Sequence, residues 1–179
     1  MESSFSQDYF ELFNLPATYD LDGEALTRRY REMQGTIHPD RFVNATEKER
    51  RMSVQLTALL NEAYQVLKAP LSRAKYLLQL RGVDIDESTT SKDIAFLTEQ
   101  MALRERLEEV RHSADVEHEL MRLAGELQQR LTGLRQTLQC AFQDEDPAAL
   151  ERAHRLYDEM QFISRLNEEL NEIEDALDQ

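Results

Sequence analysis

The groups able to do chemistry in this 179-residue sequence are 35 Asp and Glu side chains, four His and a single Cys. A hydrolase or transferase would need a nucleophile beside a base, or two carboxylates set apart from the rest by their surroundings. Neither pattern stands out here. His112 and His118 are six residues apart, so they do not share a helix face as a four-residue pair would, and His154 is isolated. There is no glycine-rich loop to cradle a phosphate. Cys140, near the end of an amphipathic stretch, reads as a small packing residue and not as a thiolate nucleophile. The expectation is a protein that is not an enzyme, with no catalytic residue, no metal and no cofactor.

The fourth histidine differs because of its neighbours. His38-Pro39-Asp40 is a polar tripeptide in which proline both ends a preceding helix and pushes His38 out of helical dihedrals. Such a corner is suited to being touched by a partner, since a fixed loop loses little entropy on binding. Taken alone, the tripeptide is better explained as a helix stop followed by a capping acid.

The elements that must position it can be read from the periodicity. Asp8 caps a short helix carrying Tyr9, Phe10, Leu12 and Phe13 that ends before Pro16. Asp20 or Asp22 caps a second helix running to about Ile37, with Leu26, Tyr30 and Met33 on its buried face and Arg28, Arg29 and Arg31 exposed. A third runs from about Thr46 to Lys68, with Met52, Leu56, Leu59, Leu60, Ala63, Tyr64 and Leu67 facing inward. Packed antiparallel, these two form a helical hairpin with His38 at its turn. Pro70 opens a further short helix to Leu80, in which Ala74, Leu77 and Leu78 form an apolar stripe.

Three separated motifs, Asp8 to Pro16, Arg28 to Met33 leading into His38-Pro39-Asp40, and Leu60-Asn61-Glu62-Ala63-Tyr64-Gln65-Val66-Leu67, together resemble a J domain. J domains stimulate ATP hydrolysis by heat-shock ATPase chaperones. The resemblance implies that Arg28, Arg29 and Arg31 form a cationic docking strip for the ATPase module. Glu32 and Gly35 depart from the more basic pattern usual on that helix and point to a dedicated chaperone.

Charge divides the chain into halves. Residues 1–80 carry ten Lys and Arg against eleven Asp and Glu, which leaves eleven against 24 for residues 81–179 out of totals of 21 and 35. Nearly all of the net charge of -14 therefore lies in the second half, which disfavours nucleic acid as a partner. No stretch reaches membrane-spanning length, the residues after Met1 contain no apolar leader core, and one cysteine excludes an internal disulfide, so a cytoplasmic protein away from membranes is expected. The abundance of Leu, Glu, Gln and Arg favours helix throughout.

The expected fold class is all-α: an N-terminal J domain over 1–81, a linker over 82–91 whose end (Thr90 or Ser91) caps the next helix, and an antiparallel three-helix bundle over 92–179. The bundle helices span about 92–111, 115–142 and, opened by Asp146 and Pro147, the remainder. Its first helix has more apolar surface than packing requires. Phe96, Leu103, Leu107 and Val110 share one arc, and Ile94, Leu97 and Met101 share another more than about 90° away. The second arc, with Phe162 and rimmed by Glu99 and Glu105, either packs on the J domain or receives a protein partner.

As a whole the chain resembles the HscB family of J-protein co-chaperones of bacterial iron-sulfur cluster assembly, on the J motifs together with Arg73-Ala74-Lys75-Tyr76-Leu77-Leu78 and the run Asp93-Ile94-Ala95-Phe96-Leu97-Thr98-Glu99-Gln100-Met101. The resemblance implies two partners: a dedicated ATPase chaperone, HscA, met by His38, Pro39 and Asp40 and the arginine strip, and the cluster scaffold IscU, met by Leu97, Met101, Glu105 and Phe162. A monomer is expected, with weak self-association as the alternative. The competing readings are a J protein serving another client, and a helical scaffold whose corner is inert.

Overall fold

The computed structural model describes residues 8–42, 45–85, 94–144 and 146–177. Among them there is helix but no strand: α1 (Tyr9–Leu12), α2 (Gly23–Ile37), a 3-10 turn (Pro39–Phe42), α3 (Glu47–Lys68), α4 (Pro70–Leu80), α5 (Ile94–Arg111), α6 (Val116–Gln143) and α7 (Pro147–Leu177). The chain is all-α. It forms two compact units that meet in sequence at Arg81 and Gly82. Of the linker expected over 82–91, residues 86–91 lie outside the described residues, as do both of its candidate caps, Thr90 and Ser91.

In the N-terminal unit the helix starts follow local chemistry. Asp8 accepts from the Phe10 amide, and Asp22 from the amides of Glu24 and Ala25. At the start of α3, Thr46 and Glu49 cap each other's backbone, with the Glu49 carboxylate accepting from the Thr46 amide at 2.9 Å and its hydroxyl at 2.7 Å. These bonds hold the Glu49 carboxyl below its ordinary range. Its help to the cap is therefore present above the ordinary carboxylate pKa and fades as pH falls through the lowered value.

α2 and α3 pack as the expected hairpin. Leu26, Leu60, Ala63 and Leu67 are buried between them and α4, and the Tyr30 and Tyr64 rings stack with centroids 4.1 Å apart. α1 is attached at its side: the Tyr9 amide donates to the Tyr76 hydroxyl at 3.0 Å, and the Tyr9 hydroxyl donates to Glu62 at 2.8 Å. Burial and this carboxylate push the Tyr9 phenol up to about 12, so it remains a donor at physiological pH. The bend between α3 and α4 at Pro70 is closed by buried Arg73, whose Nη1 donates to the Leu67 carbonyl at 2.8 Å while its guanidinium lies 5.4 Å from the Tyr19 ring centroid.

One member of the expected inward face of α3 is misplaced. Met52 is 46 % exposed, and the buried residue of that turn is Ser53, with Leu56 and Leu59 half-buried. The first turns of α3 face the C-terminal end of α2, where a carbonyl needs a donor and an apolar chain would leave it without one.

The C-terminal unit is the antiparallel three-helix bundle. Leu120, Leu123, Leu127, Leu131, Leu134 and Leu138 of α6 interlock with Ala153, Tyr157, Met160, Ile163, Leu166 and Leu170 of α7. Asp146 accepts from the Ala148 amide at 2.9 Å directly before Pro147 opens α7. α6 runs unbroken through Gly125 and Gly133, both exposed and with nothing within 4 Å of where a Cβ would stand. Gly133→Ala should therefore stabilise the protein by about 0.5–1 kcal/mol, seen as a higher urea midpoint at unchanged m.

Candidate functional site

The C-terminal end of α2 must leave helical geometry because Pro39 follows. The chain turns at His38 (φ -56°, ψ 132°) into the 3-10 turn, so the Ile37 carbonyl has no helical partner. α3 supplies it. The Ser53 hydroxyl, 3 % exposed, donates to Ile37 at 2.7 Å, and Thr57 donates to the same oxygen at 3.4 Å. This latch was not read from the sequence, where Ser53 sits among charged neighbours. Removing it should cost about 1–2 kcal/mol, since a partly buried carbonyl is left with only the longer Thr57 contact. Chemical unfolding of Ser53→Ala measures this.

On the latched corner the His38 and Asp40 side chains are 46 % and 86 % exposed. His38 Nδ1 accepts the Asp40 amide at 3.3 Å, which places the proton of the neutral ring on Nε2 and leaves that N–H as its donor. The Asp40 carboxylate stands 3.5 Å from Nδ1. Since Nδ1 is occupied as an acceptor, we treat that approach as proximity and not as an ion pair. The corner offers a donor and a carboxylate acceptor a few ångströms apart. Pro39 lies on the same turn, which carries no nucleophile.

Arg28, Arg29 and Arg31 are all exposed on α2, the helix that leads into the corner. Arg29 lies 3.5 Å from Glu32 on the same helix, a weak surface pair that leaves the strip cationic.

The second candidate surface is on the bundle. Leu97, Met101 and Glu105 occupy successive turns of α5, opposite its buried Leu103, Leu107 and Val110. Met101 is 64 % exposed, Ile94 79 %, Leu97 half-buried and Glu105 exposed. Phe162 of α7 is half-buried and meets α5 through an edge-on contact with Phe96, with centroids 6.2 Å apart at 84°. Phe96 thus links the two helices of this face, a role its place in the core arc did not suggest. Glu99 is also not a simple rim acid. It accepts from Arg130 Nη1 at 2.6 Å, and that bond holds its carboxyl below the usual range.

Elsewhere among the described residues no group of three His, Cys, Asp or Glu could hold a metal ion, and no described helix is long and apolar enough to cross a membrane.

A helical hairpin with His-Pro-Asp at its turn, flanked by two short helices and followed in sequence by a three-helix bundle, places the molecule among J-domain proteins. Comparison with known proteins narrows the class. The family model for the HSCB C-terminal oligomerisation domain matches residues 92–171. A co-chaperone protein HscB homolog of Shewanella halifaxensis is 43 % identical over 171 residues, covering 95 % of this chain and 98 % of its own. The homolog of Shewanella oneidensis is 45 % identical over 174 residues, with the same coverage. Among solved structures, chaperone HscB from Vibrio cholerae superposes with a TM-score of 0.85 at 38 % identity, covering 96 % of this chain and 99 % of that one. Human co-chaperone protein HscB gives 0.86 at 29 % identity, over 94 % and 83 %. The chain belongs to the HscB family of co-chaperones.

Proposed function

We propose that this protein is a client-delivering co-chaperone of iron-sulfur cluster assembly in the bacterial cytoplasm. It brings an IscU-type scaffold to an HscA-type ATPase chaperone and triggers that chaperone's ATP hydrolysis. The observation that carries the reading is the corner itself: His38 and Asp40 are exposed, yet the Ile37 carbonyl directly before them is held from behind by Ser53 and Thr57. A rigid, accessible polar turn with no catalytic partner of its own is suited to biasing another protein's equilibrium, which is coupling between sites and not chemistry in this chain.

In this mechanism the N-terminal unit is the J domain. Arg28, Arg29 and Arg31 steer the encounter with an acidic ATPase surface, and His38, Pro39 and Asp40 make the contact that promotes hydrolysis. The bundle is the client-binding domain, with Leu97, Met101 and Phe162 as apolar anchors and Glu105 at their rim, a composition suited to a partner that is both apolar and basic. Hydrolysis in the chaperone's own active site then closes it on the scaffold and favours cluster transfer. Family membership and the exposure of both surfaces support the reading.

The test is steady-state ATP hydrolysis by the HscA-type chaperone, with this protein added alone or with the scaffold. Stimulation that rises further when the scaffold is present supports the proposal, and an unchanged rate in both cases overturns it.

A further inference from the structure

α5 is unevenly held. Its buried residues, Leu103, Leu107 and Val110, all lie in its second half, and no residue of 94–102 is fully buried. That first half carries Leu97 and Met101. The Phe96–Phe162 edge contact and an ion pair to Arg130 are among what ties it to the bundle.

Arg130 sits on α6 between the buried Leu127 and Leu131, so its stem is set by the core while its guanidinium emerges at the flank, 27 % exposed. There it holds two carboxylates at once. Nη1 donates to Glu99 of α5 at 2.6 Å, and Nε and Nη2 donate to Glu159 of α7 at 3.0 and 2.5 Å. Glu99 is two residues from both Leu97 and Met101 in sequence but lies on the opposite side of α5, turned toward the bundle, and Glu159 lies three residues, about one turn, before Phe162. The planar fork of a guanidinium can bridge two acids in a fixed geometry, which an ammonium point charge cannot. With both partners ionised, the bridge has low exposure on two of its three members, Glu159 being 25 % exposed.

The geometry points to Arg130 as the positioning residue of the client face: by clamping Glu99 to Glu159 it sets the spacing of Leu97 and Met101 from Phe162 and so tunes affinity for the scaffold. This rests on the scaffold-binding reading above. Arg130 acts through the two acids and does not touch the client.

The experiment uses the full chain and its Arg130→Met, Glu99→Gln and doubly substituted variants. Scaffold affinity is read by titration calorimetry, and hydrogen exchange is followed over residues 96–102 and 131–138. We expect Arg130→Met to weaken scaffold binding about tenfold and to speed exchange over 96–102, while the α6 core over 131–138 stays protected. The double variant should be little worse than either single one, because all three break the same bridge. Chaperone stimulation without scaffold should be unchanged.

Unaltered affinity overturns the proposal even if exchange rises. Weakened affinity with unaltered exchange also overturns it, since Arg130 would then be touching the scaffold itself, and additive effects in the double variant would do the same. Loss of protection over 131–138 would make Arg130 a general stability residue and sink the positioning role. If the unsubstituted chain does not bind the scaffold, the scaffold reading falls and takes this inference with it, whereas binding by wild type and Arg130→Met alike defeats the clamp alone.

Discussion

His38→Gln should leave a folded protein that no longer stimulates the chaperone. Glutamine keeps a side-chain donor but cannot offer an imidazole Nε2–H from a ring fixed by the Asp40 amide. His38 is about half exposed and its main structural tie is that one bond, so the thermal midpoint should barely move. A contact that couples two sites is typically worth about 1–3 kcal/mol, so stimulation at limiting co-chaperone should fall roughly ten- to hundredfold. Scaffold affinity should be untouched. Equal stimulation by the variant would mean that the corner is inert and that the protein acts only as a helical scaffold.

Phe162→Ala should produce the complementary defect. Stimulation by the co-chaperone alone remains, and only the further rise produced by the scaffold is lost. A half-buried aromatic ring on a client face is the kind of anchor that carries about 2 kcal/mol, or roughly thirtyfold in Kd. Part of that loss comes from the face itself, since Phe96 loses its edge-on neighbour. Met121→Ala is the control. Met121 is 76 % exposed, on α6 and outside the proposed face, so its truncation should change neither activity. If Phe162→Ala and Met121→Ala behave alike in calorimetry with the scaffold, the client face lies elsewhere.

Helix boundaries were legible in the sequence because their signals are local. Asp22 and the Asp146-Pro147 pair mark starts by satisfying amides two or three residues away, and Pro39 marks a stop by its own covalent structure. The exposed arc of α5 was legible too, since it follows from residue spacing alone. The supporting interactions were not. Ser53 reaches across 16 residues to Ile37, and whether a serine is surface or latch depends on how close α3 comes to α2. The same holds for Arg130, which chooses two acids from a helix surface crowded with them only once the relative register of α5, α6 and α7 is set. Period alone puts Met52 inward, and the need of one carbonyl for a donor gives that turn's buried position to its neighbour Ser53.

The attachment of α1 bears on how the protein is made. The latch behind His38 closes a loop of 16 residues, whereas the bond from Tyr9 to Tyr76 closes one of 67. On chain-entropy grounds the longer closure is harder by about 1.3 kcal/mol. During synthesis the hairpin bearing the corner can form as soon as α3 has left the ribosome, and α1 can then meet α3 through Tyr9 and Glu62, but its contacts with Tyr76 must wait until α4 emerges. A nascent chain halted between Lys68 and Tyr76 would therefore already display the His38 turn while the side of α1 that Tyr76 covers, with the Phe10 ring, is still open to solvent.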